Sequence, residues 1–213
     1  MNSVVGNIYD IGSGKFIKGE IKIMGDRIID ILPTSKSCSN YIIPGFIDSH
    51  IHIESSLLFP AAFSQIAITH GTVAAIADPH EIANVLGSEG IRLMKVNADQ
   101  ADLKFYFGAP PCVPATDFET SGATITTNDI KNLFDSGTCH HLAEVMNYPG
   151  VIHHDSELMA KINIAKSFGK IIDGHAPNLT GLQAENYFKA GITTDHECES
   201  IDEALEKIKY GCH

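Results

Sequence analysis

The chain has 213 residues, of which 44% are hydrophobic and 19% charged, a composition typical of a globular protein with one sizeable core. Its 26 acidic and 15 basic side chains give a net charge of −11 with no basic stripe, which argues against a nucleic-acid polymer as partner. No basic-then-apolar leader opens the sequence, and no apolar run approaches the roughly 18 residues of a membrane span. With five cysteines and no CxxC spacing, we predict reduced thiols, a cytoplasmic location and no membrane contact.

A small β element is predicted over residues 1–41. The segment EIKIMGDRIIDI places Ile21 and Ile23 in alternation with other residues, turns at Gly25-Asp26, and resumes with further isoleucines, which predicts a hairpin. The polar segment SKSCSN then leads into the rest of the chain. Two or three strands are marginally stable alone, so this element is expected to pack on further structure.

Strand and helix patterns alternate about every 30 residues from residue 42 onward, which indicates βα units on a parallel sheet. Pro60 suits the first turn of a helix that Gly71 ends, Asn128 or Asp129 is the predicted cap of a later helix, and the last helix is predicted to end at Gly211. Six strands are predicted, within IIPGFIDSHIHIESS, GTVAAIADPH, KFYFGAPPCV, HHLAEVMNY, KIIDGHAP and ITTDHE.

The first of these strands, predicted to be buried, carries His50 and His52. Side chains two residues apart on a strand share a face about 6.6 Å apart, so both imidazoles can converge on one cation at about 2.0–2.1 Å. Two histidines on a buried strand are costly to desolvate unless something binds them, which favours a metal. The alternative, a strand end with two solvated histidines, stays open from this pair alone.

Further chemical residues lie at the ends of the later strands. In βα barrels the active site is assembled from the carboxyl ends of the strands, so these residues are expected to meet above one core. Glu144, between Ala143 and Val145, is costly to bury unless it is paired or bound to a cation; a salt bridge to a Lys or Arg is the alternative. A single histidine at such a place is more often an ordinary hydrogen-bonded residue, and the repetition is what favours a site. The candidates are Asp78, His80, Glu81, Glu144, His175, His196 and Glu197.

Two histidine pairs and one cysteine are predicted to lie outside this chemistry. Adjacent residues of a strand face opposite ways, so His140-His141 and His153-His154 are expected to be solvated residues of a rim or loop. Cys198 follows the last histidine motif without a dedicated base, and we predict that it packs rather than acts as a nucleophile.

Five motifs in this order, PGFIDSHIHIESS, DPHEIANV, HLAEVMNYPGVI, DGHAPNLTG and TDHECES, resemble the strand-end motifs of the adenine deaminase family of the amidohydrolase superfamily. The resemblance runs from about residue 4 to 208. It implies an α/β fold, a metal-dependent (β/α)8-type barrel, that converts adenine to hypoxanthine and ammonia with a metal-activated hydroxide.

The resemblance also implies roles for individual residues. His50 and His52 would bind one metal, Glu144 would bridge two, and His175 and His196 would bind the second. Glu144, His196 and Glu81 are the predicted catalytic residues, and a secondary cluster is formed by Asp78, His80 and Glu81. The implied cofactor is a pair of manganese or iron ions, with zinc as an alternative, and the implied partner is adenine itself.

The sequence also departs from this family. A complete barrel usually needs about 250 residues, whereas residues 42–213 hold only about six βα units and match neither strands seven and eight nor the metal-binding aspartate of strand eight. We therefore predict an incomplete barrel domain, a truncated or split form that acts as a homo-oligomer or with a completing chain. Two alternatives stay open: an inactive fragment, and another cyclic amide hydrolase, which is disfavoured because such enzymes typically bridge their metals with a carboxylated lysine that HHLAEVMNY lacks.

Overall fold

The computed structural model describes residues 2–116 and 118–213. This part of the chain divides into two compact units, the first ending at Phe46 and the second running from Ile47 to His213. None of the helices in the described ranges is long and apolar enough to cross a membrane.

The first unit is a four-stranded sheet with the strand order β3-β2-β1-β4. Strands β1 and β2 are antiparallel, as are β2 and β3, and β4 joins β1 in parallel. The predicted hairpin is confirmed, because β2 and β3 are joined at Gly25-Asp26 and Gly25 has a φ of 61°, a conformation that glycine adopts without strain. The strands are β1 (Asn2–Asp10), β2 (Lys15–Met24), β3 (Arg27–Pro33) and β4 (Tyr41–Ile42).

The second unit is built on a parallel five-stranded sheet whose strands follow one another in sequence order. This curled sheet with its helices is a partial barrel, which confirms the predicted fold class. Its strands are β5 (Phe46–Ile51), β6 (Thr72–Ala77), β7 (Lys104–Ala109), β8 (His141–Val145) and β9 (Ile172–Gly174).

Helices cover one face of this sheet, and the core lies between the two layers. Phe107, Leu142 and Ile172 point from the strands into this core, where Ile130 and Ile162 meet them from the helices. The helices are α1 (Pro60–Ala67), α2 (His80–Ala98), α3 (Thr127–Asp135), α4 (Tyr148–Ile152), α5 (Ser156–Ser167), α6 (Gly181–Lys189) and α7 (Ile201–Lys209), with short 3-10 helices at Ile53–Ser56 and Ile68–His70.

The helix boundaries test three local predictions. Helix α1 begins at Pro60, and Gly71, at a φ of 90°, ends the 3-10 turn that follows, as predicted. The predicted cap of α3 is wrong by two to three residues. Thr126 caps the helix and accepts a hydrogen bond from the backbone of Asp129, whose carboxylate accepts one from the Thr126 amide.

Two strand predictions also need correction. The apolar start of β5 is not buried, since Phe46 and Ile47 are 57% and 63% exposed. The predicted sixth strand, residues 192–197, is an extended segment instead of a strand. It meets the neighbouring three-residue strand β9 through a backbone hydrogen bond from the Thr193 amide to the Ile172 carbonyl at 3.1 Å.

Candidate metal centre

The side chains at the carboxyl ends of the strands converge on Glu144. This residue lies in β8, and its carboxylate is 2% exposed. Oε1 lies 3.1 Å from Nδ1 of His80 and 3.4 Å from Nε2 of His52. Oε2 lies 2.7 Å from Nδ1 of His175 and 3.2 Å from Nε2 of His196. One buried carboxylate is therefore reached by imidazoles from four separate segments of the chain.

His50 and His52 present matching nitrogen atoms to each other. Their Nε2 atoms are 3.2 Å apart, while Nδ1 of His50 lies 3.0 Å from the Asp173 carboxylate and Nδ1 of His52 lies 3.0 Å from the Asp78 carbonyl. With the proton of each ring on Nδ1, both Nδ1 groups donate to these oxygens and both Nε2 lone pairs point at one spot. An oriented histidine pair of this kind is what a metal site uses.

The donor set fits a divalent cation. Three groups of histidine and carboxylate atoms lie close enough to hold an ion, with all atoms of a group within 4.8 Å of one another. Three buried side-chain atoms among the described residues have no hydrogen-bond partner of acceptable geometry: Nδ1 of His80, Oε2 of Glu144 and Nδ1 of His175. Buried polar atoms are normally satisfied, and a bound cation would satisfy these three. The three groups are His52, Asp78, His80, Glu144; His50, Glu144, His196; and His175, His196, Glu197.

Without a bound cation, protons on the histidines balance the negative charge of the carboxylates in this centre. Burial raises the pKa of Glu144, but the imidazoles of His175, His196 and His80 close to its carboxylate outweigh it and hold that pKa well below its usual range. Burial lowers the pKa of His80, and the neighbouring Asp78 and Glu144 carboxylates raise it to about 10. Burial also lowers the pKa of His196, and the neighbouring Asp173 and Glu144 carboxylates raise it to about 10. Because metals compete with protons for such nitrogens, cation binding would release protons here.

Asp78 joins two of these strand ends. Its carboxylate is 1% exposed, and it accepts hydrogen bonds from the backbone amides of His80, at 3.0 Å, and Glu144, at 3.3 Å. The same carboxylate lies 3.3 Å from Nδ1 of His80. Asp78 therefore fixes the end of β6 to the middle of β8 and faces the centre, together with His80.

Asp173 is a candidate site residue that the sequence analysis missed. Its Oδ2 lies 3.0 Å from Nδ1 of His50 and 3.7 Å from Nδ1 of His196, and its Oδ1 accepts a hydrogen bond from the Thr194 hydroxyl. Burial raises the pKa of Asp173, but bonds from His196, His50 and Thr194 outweigh it and hold that pKa below the usual range. A signal was present in the sequence, because Asp173 stands two positions before His175 in the predicted fifth strand, and such residues share a face of a strand.

Glu81 lies outside the three groups of ligand atoms. It stands in the first turn of α2, where its carboxylate accepts a hydrogen bond from the Ser55 hydroxyl. Glu81 contacts Ser55 while His80 contacts Glu144, in keeping with the roughly 100° between successive residues of a helix. The predicted secondary cluster therefore contributes Asp78 and His80 to these groups.

Four residues outside the ligand groups complete the comparison with the sequence. His141 was predicted to be solvated but is 8% exposed; it lines a cavity of about 360 Å³ beside His50 and Asp173, and burial lowers its pKa. Cys198 was predicted to pack but is exposed. Both predictions were wrong about exposure, because residues far away in the sequence decide whether His141 and Cys198 are covered. Both His153 and His154 are exposed, as predicted.

Tyr187 fixes the relative position of two strand ends, which leads to a prediction. Its fully buried hydroxyl donates to the Val145 carbonyl at 2.7 Å and accepts from the His175 amide at 3.0 Å. We expect Tyr187→Phe to lower the free energy of unfolding of the metal-free chain by about 1–3 kcal/mol, because two buried backbone groups lose their partner. Urea denaturation measures this loss. The control Tyr210→Phe removes a half-buried hydroxyl and should change it by less than about 0.5 kcal/mol; equal effects would refute the role of the Tyr187 hydroxyl.

A parallel, partial βα barrel with histidines and carboxylates gathered at its strand ends defines the chain as a barrel protein with a candidate metal centre. The model of the amidohydrolase family matches residues 41–212, and the chain belongs to this family.

The relatives of the chain are longer than the chain itself. An adenine deaminase of Sulfurovum sp. (strain NBC37-1) is 48% identical over 205 residues, which are 96% of this chain and 38% of that protein. An adenine deaminase of Methanothermobacter thermautotrophicus is 49% identical over 208 residues, with 98% and 39% covered. The chain thus spans about two fifths of the length of these curated relatives.

Solved structures resemble the chain in fold. The structure of N-acetyl-D-glucosamine-6-phosphate deacetylase from Mycobacterium smegmatis matches 92% of this chain and 55% of its own, with a TM-score of 0.62 at 14% identity. The 5-methylcytosine deaminase from Klebsiella pneumoniae matches 91% of this chain and 58% of its own, with a TM-score of 0.51 at 12% identity. At such low identity, these matches establish the shared barrel architecture alone.

Proposed function

We propose that the chain carries the metal-binding part of a site that hydrolytically deaminates adenine to hypoxanthine and ammonia. The observation that carries this proposal is the buried carboxylate of Glu144 with four imidazoles around it. Adenine is the proposed substrate because the curated relatives at 44–49% identity are named adenine deaminase. The chain covers about 38% of the length of several of these relatives. The deaminase activity named for those longer proteins is therefore part of what we propose for this chain.

We further propose two divalent ions at this centre, manganese or iron, with zinc as an alternative. His50 and His52 would hold one ion, His175 and His196 the other, and Glu144 would serve both. The donor groups support the shared role of Glu144, because two of the three contain it, and the third holds His175 with His196. The pairing of His50 with His52 is supported by the 3.2 Å between their Nε2 atoms, although the groups combine His50 with His196 and His52 with His80. When bound, such ions supply Lewis acidity and lower the pKa of a bound water toward about 7.

The reaction requires proton transfer that residues of this chain can perform. Deamination forms a C–O bond at C6 of adenine and breaks the C6–N6 bond, so a proton from water has to reach the departing nitrogen. Glu144, His196 and Glu81 are the proposed carriers. If Nε2 of His196, which lies 3.2 Å from Glu144, binds an ion, His196 would carry its proton on Nδ1, which lies 3.7 Å from Asp173. Glu81 directly follows His80 and is hydrogen-bonded to the Ser55 hydroxyl.

A second candidate function is a metal-binding part that acts only after assembly with another copy or with a completing chain. The uncovered face of the parallel sheet favours this candidate. Ile171 is 63% exposed and Tyr106 37% exposed, and both line the cavity of about 360 Å³. Apolar side chains grouped on a sheet face are ordinarily covered by protein, and exposed patches of this kind mark interaction sites.

Another cyclic amide hydrolase of the same superfamily is less well supported. Such enzymes typically use a carboxylated lysine on the fourth strand, and the corresponding strand here, β8, holds Glu144 and no lysine. The carboxylate of Glu144 already supplies the anion that such a modified lysine would provide at the centre.

We also propose the cytoplasm as the compartment of the protein. All five cysteines are free, and Cys112, Cys139 and Cys212 are buried. Free thiols are typical of reducing compartments, where disulfides are rare. An exposed thiol such as Cys198, two residues from His196, would also be kept reduced there.

The proposed activity is tested by ammonia release from adenine. The purified chain is loaded with manganese or iron and compared with the His50→Ala, His52→Ala double variant, with folding checked by circular dichroism. We expect turnover that the double variant loses. If the folded, metal-loaded chain releases no ammonia, deamination by this chain alone is refuted; activity that appears only on adding a completing chain would favour the second candidate.

A further inference from the structure

The least expected buried group outside the metal centre is the ammonium of Lys207, in α7. The Lys207 residue is 0% exposed. Its Nζ donates to the Ala176 carbonyl at 2.6 Å, to Asp195 Oδ2 at 2.6 Å and to Glu203 Oε1 at 2.7 Å. The side chains of Asp195 and Glu203 are 0% and 4% exposed. All three hydrogens of the ammonium are therefore used on buried acceptors.

Two of the three arms of this network end next to a candidate metal ligand. Ala176 follows His175, and Asp195 precedes His196. The Glu203 carboxylate also accepts from the backbone amide of Asn178, at 2.9 Å, and from that of Glu199, at 3.0 Å. Lys207 and Glu203 thus hold the segment after β9 and the extended segment 192–199 against α7.

The extended segment needs such support. Residues 192–199 form no strand in the structure, although His196 and Glu197 both belong to ligand groups. In a parallel sheet, ladder hydrogen bonds would fix the direction of such side chains. Here the Asp195 carboxylate partly replaces those ladder bonds. Its Oδ2 accepts a hydrogen bond from Lys207 Nζ, and its Oδ1 accepts one from the Glu197 amide at 2.9 Å.

Packing does not explain why α7 buries charges. Ile201, Leu205 and Ile208, spaced as one helical face, are 78%, 53% and 59% exposed, while Glu203 and Lys207 face inward. An amphipathic helix normally does the opposite. Replacing buried ion pairs by apolar side chains is often neutral or stabilising, so stability alone does not account for this orientation.

We propose that Lys207 is a positioning residue of the metal centre. Its ammonium holds the two segments that present His175 and His196, and it thereby sets the affinity of the centre for a divalent cation. This inference rests on the metal centre of the proposed function and is independent of the identity of the substrate.

The test compares Lys207→Met with Lys209→Met, an exposed lysine of the same helix. Equilibrium dialysis measures Mn²⁺ affinity under conditions where circular dichroism shows all proteins folded. We expect Lys207→Met to weaken Mn²⁺ binding by about 10–100-fold, the loss typical of an outer-shell partner, and Lys209→Met to change it by less than about twofold. The visible spectrum of the Co²⁺-loaded Lys207→Met variant should also change, because the ligand geometry changes.

A merely structural role predicts a different result. In that case Lys207→Met lowers the melting temperature in the presence of a chelator but leaves the Mn²⁺ affinity and the Co²⁺ spectrum of the folded protein unchanged, which overturns the inference. If Lys207→Met does not fold, the milder Glu203→Gln is measured instead; weaker Mn²⁺ binding supports the inference, and unchanged binding overturns it. An unsubstituted chain that binds Mn²⁺ without releasing ammonia refutes adenine deamination by the chain alone and leaves this inference standing.

Discussion

Glu144→Gln is expected to remove most of the metal-binding capacity of the chain while leaving its fold intact. Glutamine has nearly the same shape, so packing in β8 is preserved. Its neutral amide, however, offers one oxygen where the carboxylate serves two of the three ligand groups. We expect Mn²⁺ affinity to fall by more than the 10–100-fold typical of losing an outer-shell partner, since Glu144 is itself a proposed ligand.

Equilibrium dialysis with elemental analysis measures this loss, and Glu81→Gln serves as the matched control. Glu81 lies outside the three groups, so its substitution should leave the metal content unchanged. A Glu144→Gln chain that still holds about two ions would remove Glu144 from the shared position. Without metal, the same variant should lower the pKa of His80 from about 10, because one of its two carboxylate neighbours becomes neutral.

The convergence of the strand ends could be predicted from local patterns. His50 and His52 share a strand face because the side-chain period of a strand is two residues, and their Nε2 atoms do converge at 3.2 Å. Glu144 was identifiable because a carboxylate within an apolar strand needs a partner. Parallel strand order then brings both features to one edge of the sheet.

Contacts between distant segments could not be predicted in the same way. Asp173 shares a face with His175, but its contact with His50 joins residues 123 positions apart. Glu81 looked equivalent to His80 in sequence, and helix geometry turns its side chain toward Ser55. Both cases depend on which direction a side chain takes after its segment has packed.

The last part of the chain contradicts its own hydrophobic pattern. Residues 192–197 are predicted to form a strand, yet next to the three-residue β9 no strand forms. The apolar face of α7 predicts burial of Ile201 and Leu205, yet the Lys207 ion network faces inward. The helical periodicity of α7 indicates that its apolar face could be buried. In the structure the opposite face, which carries Glu203 and Lys207, is buried instead.

Asp173→Asn is expected to weaken metal binding without replacing any proposed ligand. The Asp173 carboxylate accepts a hydrogen bond from Nδ1 of His50 at 3.0 Å. This bond keeps the Nε2 lone pair of His50 directed at the same position as the Nε2 lone pair of His52. An amide oxygen still accepts this hydrogen bond but without the negative charge, so we expect Mn²⁺ affinity to fall by about 10-fold, and by up to about 100-fold in Asp173→Ala, which accepts nothing. Equilibrium dialysis of both variants against the exposed control Asp202→Asn measures the order of these effects.

The pH dependence of stability separates a charge effect of Asp173 from a steric one. Because its folded pKa lies below the usual 3.8, the ionised carboxylate stabilises the metal-free chain above that value, and this contribution is lost as the pH falls through the folded pKa. The stability difference between the unsubstituted chain and Asp173→Asn should therefore be full near pH 6 and shrink below about pH 4. Urea denaturation in a chelator across this range gives the difference. A gap that stays constant with pH would mean that Asp173 acts through its shape, and the argument that its charge orients His50 would fail.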